Sequence, residues 1–107
     1  MKLPVPVRSY FDADKTGGDS APIAAFAPEA VVRDEGKTHV GRDAIEAWWQ
    51  AAKAQYRHTA EPCGIREEQD LVIVRARVTG RFPGRPALLS FAFRLQNGRI
   101  SGLEIGA

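Results

Sequence analysis

The hydrophobic period of this 107-residue chain changes once, and that change limits the architectures open to it more than any other feature. Up to Tyr56 most apolar residues recur every three to four positions, as on one face of a helix; from Leu71 they alternate, as on one face of a strand. Helices first and strands afterwards predict an α+β fold, with helices covering one face of a bent antiparallel sheet. Nothing marks a linker or a repeat, so residues 1–107 are expected to form a single domain.

Leu3, Val7, Tyr10 and Phe11 predict a first helix from Leu3 to Asp14, with Pro4 or Pro6 in its first turn. Thr16-Gly17-Gly18 breaks it. Asp19 or Ser20 can then cap a short second helix carrying Ile23 and Phe26 on one side and stopped by Pro28. Ala30 to Asp34 is β-prone and leads into a polar loop from Glu35 to Val40, closed by Gly41. Ile45, Trp48, Trp49, Ala52 and Tyr56 follow helical spacing, and Asp43 and Glu46 suit the positive end of that third helix.

The second half reads as a meander. An irregular segment from His58 to Glu68 supplies the entering strand. Leu71 to Gly80 sets Val72, Val74, Ala76 and Val78 on one face, with Arg75 and Arg77 on the other. Phe82 to Pro86 is a turn with two prolines, after which Leu89, Phe91, Phe93 and Leu95 share a side of the strand Ala87 to Gln96. Asn97-Gly98 is the preferred type I′ hairpin pair and returns the chain into Arg99 to Ile105.

Composition narrows the function classes. A chain of this size buries about 65% of its unfolded surface, enough for a core without metal or disulfide staples. With 44% apolar and 26% charged residues and a net charge of only +2, it has no basic run that would track a phosphate backbone, so no nucleic-acid partner is expected. Cys63 is the one cysteine, which excludes an intrachain disulfide and offers no zinc spacing. The N-terminus carries prolines and charges where a secretory signal needs an apolar run, and no segment approaches membrane-spanning length. A cytoplasmic protein with no membrane partner is expected.

The order helix, helix, the strand Ala30-Val31-Val32-Arg33-Asp34, the helix start Gly41-Arg42-Asp43-Ala44-Ile45 and the hairpin Asn97-Gly98-Arg99-Ile100 resembles the nuclear transport factor 2-like superfamily, nearest its SnoaL-like and ketosteroid-isomerase-like branch. The resemblance covers nearly the whole chain. It implies a cone-shaped α+β barrel: a curved antiparallel sheet covered by three N-terminal helices around a pocket, frequently paired into a homodimer through the outer sheet face. Ketosteroid isomerases use a carboxylate base, with a tyrosine and a protonated aspartic acid stabilising the oxyanion. By resemblance Asp34 matches the base. The tyrosine position falls on Phe11, with Tyr10 a quarter turn away, and the acid position falls at Phe91, where no acid stands. A lost oxyanion donor costs about 10²–10³ in rate, so steroid isomerisation is not expected.

Candidate site residues follow from chemistry and position. A carboxylate in an apolar cavity can take or share a proton, which makes Asp34 the candidate general base; the competing reading is a turn residue or an ion pair with Arg33, Lys37 or Arg42. Tyr10, His39 and His58 are candidates to polarise a substrate oxygen, against solvated or helix-capping roles for the histidines. Phe11, Phe26, Trp48, Tyr56 and Phe91 are candidate ligand-binding walls, with core packing the default reading for aromatics at helical spacing. Trp48 and Trp49 point about 100° apart, so only one of them can face a pocket. The arginines along the meander suit a solvated outer face paired with Glu67, Glu68 and Glu104, or a dimer interface with Leu71, Ile73 and Leu88.

No phosphate-binding loop, nucleophile elbow or metal-ligand spacing is present, so no cofactor and no metal are expected. The chain ends on Gly106-Ala107 right after the last strand, which suggests a wide-mouthed pocket. Three functions fit: a cofactor-free isomerase, cyclase or hydratase using Asp34, a module that binds a small apolar molecule without turnover, or a domain whose business is dimerisation.

Overall fold

The computed structural model describes residues 2–16, 21–81 and 87–107. Helix α1 spans Val5–Lys15, with Pro4 at its N-cap and Pro6 in its first turn, where a missing amide hydrogen breaks no bond. Its buried stripe is Val7, Tyr10, Phe11 and Asp14. The expected second helix shrinks to one 3-10 turn, Ile23–Ala25, and strand β1 begins at once, Phe26–Asp34. Phe26 and Pro28 are therefore strand residues. Pro28 is tolerated because β1 meets its hairpin partner only from Val31 onward, and its pairing on the other side shifts between Phe26 and Val31. The fold has two α-helices, not three, among the described residues. The caps proposed at Asp19 or Ser20, Gly17-Gly18 and the Phe82–Pro86 turn lie outside those residues.

The polar segment after β1 is not a loop. Glu35 and Gly36, at φ 54° and 74°, make a two-residue turn, and β2, Lys37–Val40, pairs antiparallel back onto β1. Helix α2, Arg42–Tyr56, buries Ile45, Trp49 and Lys53 and ends at Arg57 in the left-handed conformation. It is tied to the start of β1 and to the segment before it: Arg42 donates to the Phe26 carbonyl at 2.7 Å, and the Ala21 amide donates to Glu46 at 2.9 Å.

Four strands follow: β3 (Thr59–Glu68), β4 (Leu71–Thr79), β5 (Ala87–Gln96) and β6 (Arg99–Gly106). Asn97 and Gly98 take the positive φ values that their hairpin demands. The sheet order is β2-β1-β6-β5-β4-β3, antiparallel throughout except for the parallel pair β1 and β6. The sheet is thus mixed, where an antiparallel one was expected. Three hairpins return the chain from β3 to β6 alongside β1, and that odd number of reversals sets the direction. Register shifts at Pro62/Gly64 and Arg94/Leu95 bend the sheet toward the helices.

The concave face carries the core. Val74 stands opposite Phe91 and Phe91 opposite Ile105, while Val72, Phe93 and Leu103 form a second row. Tyr10 reaches down from α1 into this layer, with ring centres 5.2 Å from Phe11, 5.4 Å from Trp49 and 5.4 Å from Phe93. The outer face bears Arg75, Arg77 and Arg94; of the acids expected to pair with arginines, Glu68 meets Arg66, while Arg94 pairs with Asp70 instead.

Candidate functional site

Helices laid across a bent sheet cannot fill the whole concavity, and a cavity of about 420 Å³ remains between them. Helix α1 contributes Tyr10 and Asp14, β1 contributes Asp34, and α2 contributes Trp48 and Tyr56. The sheet side supplies His58, Leu89, Phe91 and Ile105, so most of the wall is apolar or aromatic.

Asp34 is the last residue of β1 and half-buried at this wall. The Trp48 indole donates Nε1–H to its Oδ2 at 3.1 Å, which fixes the carboxylate's orientation. Trp49, the neighbour, is turned into the core beside Tyr10 and lies under the Lys53 ammonium, 5.2 Å from the ring centre. Helical phase thus assigns Trp48 to the cavity and Trp49 to packing. Asp34 also borders a smaller hollow of about 200 Å³ beneath the β1–β2 turn, between Arg33, Lys37 and Glu104.

At another part of the wall stands a cluster that pattern reasoning missed. Asp14 is 1% exposed and Lys53 7% exposed, and their side chains meet at 2.6 Å. Lys53 Nζ also donates to the His58 carbonyl at 2.7 Å, and Asp14 Oδ2 accepts the Ala60 amide at 2.6 Å. This pair stitches α1 and α2 to the start of the sheet. The signal was present in the sequence: Asp14 extends the stripe Val7, Tyr10, Phe11, and Lys53 extends the stripe Ile45, Trp49, so opposite charges sit on two apolar faces.

His58 Nε2 lies 3.5 Å from Asp14 Oδ1, and its ring hydrogen-bonds the Ala52 backbone. Burial, reinforced by the Lys53 ammonium, pulls its pKa below the ordinary value of 6.5, although Asp14 and Asp34 pull the other way. The neutral imidazole is the resting form at pH 7. Tyr10 is fully buried, and burial together with the charges of Asp14 and Asp34 raises its phenol well above 10.0, so it stays a hydrogen-bond donor.

Of the residues singled out in the sequence, Asp34, Tyr10, His58, Trp48, Tyr56 and Phe91 come together at the cavity. His39, Phe11 and Phe26 do not line it. His39 sits on β2 behind Trp48, with ring centres 6.0 Å apart. Phe11 packs on Phe91 and Phe93, and Phe26 is wholly buried beside Tyr10. Tyr10, not Phe11, is therefore the α1 aromatic that reaches the cavity. Among the described residues no group of three or more His, Cys, Asp and Glu is placed to hold a metal ion. No helix among them is long and apolar enough to cross a membrane.

Residues 7–103 match the family of SnoaL-like domains. Among solved structures, a Sinorhizobium meliloti protein provisionally named a polyketide cyclase is 48% identical, with a TM-score of 0.91 over 96% of this chain and 94% of that one. A hypothetical protein from Catenulispora acidiphila with a ketosteroid isomerase-like fold, in complex with trimethylamine, is 19% identical, with a TM-score of 0.84 over 99% of this chain and 87% of that one. The soil-derived gene-cassette protein Bal32a is 22% identical, with a TM-score of 0.77 over 94% of this chain and 85% of that one. No functionally curated protein matches. This chain belongs to the SnoaL-like family, within the nuclear transport factor 2-like superfamily.

Proposed function

We propose that this chain binds a small, largely apolar carbonyl compound in its cavity and moves a proton on it, with Asp34 as the general base. The observation that carries this reading is the Asp34 carboxylate, held by Trp48 at 3.1 Å and presented at an aromatic wall. A carboxylate there takes a proton from the carbon beside the carbonyl, and the electron pair moves toward the carbonyl oxygen. Tyr10 supplies an O–H for that oxygen. The proton then returns to another carbon, shifting a double bond, or the carbon closes a ring on a second carbonyl whose oxygen receives it. The name of the 48% identical relative supports the ring-closing variant. Only side chains take part in such acid–base steps.

Asp34→Asn keeps the shape and the Trp48 hydrogen bond but loses the base. We expect turnover of an enolisable polycarbonyl substrate to fall by about 10²–10⁴, with the circular dichroism spectrum unchanged. An Asn variant as active as the wild type removes the reading.

A further inference from the structure

We propose that the carbonyl compound taken by this cavity also carries an apolar amine, bound as its ammonium form, and that Asp34 is the carboxylate its charge is set against. The proposal rests on the cavity reading above and names the class of molecule it takes.

Three acids, Asp14, Asp34 and Glu35, stand among the lining residues, and no lysine or arginine does, among the described residues. The neighbouring ammonium of Lys53 is already committed: it donates to Asp14 Oδ1 at 2.6 Å, to the His58 carbonyl at 2.7 Å and to the Asp14 carbonyl at 3.3 Å. An ammonium has three donors, so Lys53 offers none to a ligand. It pairs with Asp14, whereas Asp34 and Glu35 form no ion pair among the described residues, although Arg33 and Lys37 border the smaller hollow that Asp34 shares. Asp34 receives the Trp48 N–H on one oxygen, and no further hydrogen bond to it is seen among the described residues.

The walls suit the same ligand. Tyr10, Trp48, Tyr56 and Phe91 line the cavity, and aromatic faces carry a negative quadrupole that attracts a cation. Burial is the main reason the Tyr10 phenol resists ionisation, and the charges of Asp14 and Asp34 add to it. What opposes a phenolate opposes a carboxylate or phosphate ligand as well.

Three probes of nearly one shape test the inference by calorimetry: benzyltrimethylammonium, neopentylbenzene and phenylmethanesulfonate. The ammonium should bind about 10-fold tighter than the neutral hydrocarbon, lose part of that advantage at high salt, and the sulfonate should bind weakest. Asp34→Asn should erase most of the ammonium's advantage while leaving the neutral probe unchanged. Equal or tighter binding of the neutral probe overturns the inference and leaves the small-molecule reading standing. So does an ammonium preference untouched by Asp34→Asn. Absence of binding by all three sinks both. Ammonium binding by a protein that turns over no enolisable amine upholds the inference and removes only the proton-transfer step.

Discussion

Taking one partner away from the Asp14–Lys53 pair leaves a lone charge where water does not reach. Lys53→Met or Asp14→Asn should each cost about 3–5 kcal/mol in urea unfolding, and the double variant should cost clearly less than the sum. Additive losses would mean that the two side chains do not act on each other. His58 gives the cluster a pH dependence whose sign follows from burial. Its folded pKa lies below the ordinary 6.5, so the unfolded chain binds the proton first as pH falls. Stability should therefore be full above pH 6.5 and decline below it, down to the folded pKa, while His58→Gln flattens that slope in thermal melts taken across the window. A slope unchanged in the variant would place the titration elsewhere.

The elements show why some segments were legible and others were not. Helix α1, helix α2 and strands β4 to β6 were predicted nearly to their ends, because each carries a strong apolar period and Asn97-Gly98 permits few other geometries. β2 was missed because three of its four residues are polar, the fourth, Val40, is exposed, and all sit at a sheet edge, so no buried face imprinted an alternation on them. The short second helix was wrongly predicted because Ile23 and Phe26 have helical spacing, while the pairing of Phe26 with Ile100 on β6 outweighs that local preference. Gly80 marks another junction governed by distant contacts. A Cβ there would stand 2.7 Å from the Tyr56 carbonyl oxygen and 2.9 Å from His58 Cα. Gly80→Ala should push β4 off the α2–β3 connection and cost about 1–3 kcal/mol, measured by chemical denaturation. A neutral substitution would show that the connection gives way freely.

At the scale of the molecule, the sheet separates two surfaces with different uses. Its concave side, under the helices, holds the cavity; its outer side exposes Leu88, half accessible and opposite Arg77. We expect that face to pair two copies of the chain, so that sedimentation gives a dimer and Leu88→Asp a monomer with an unchanged far-UV spectrum. A monomeric wild type would count against the pairing. The cone itself depends on β6, which lies between β1 and β5 and so joins the β1–β2 hairpin to the meander.

The sequence alone determined where the two long helices and most strands lie, and which aromatic and acidic residues were available to a pocket, because those properties follow from local periodicity and composition. Only the tertiary structure decided that Trp48 and Tyr10 face the cavity while Trp49 and Phe11 fill the core, that β1 runs parallel to β6, and that Asp14 meets Lys53 across 39 positions of chain. These are contacts between segments far apart in sequence, and they are chosen by how helices seat on a curved sheet, which no single segment encodes.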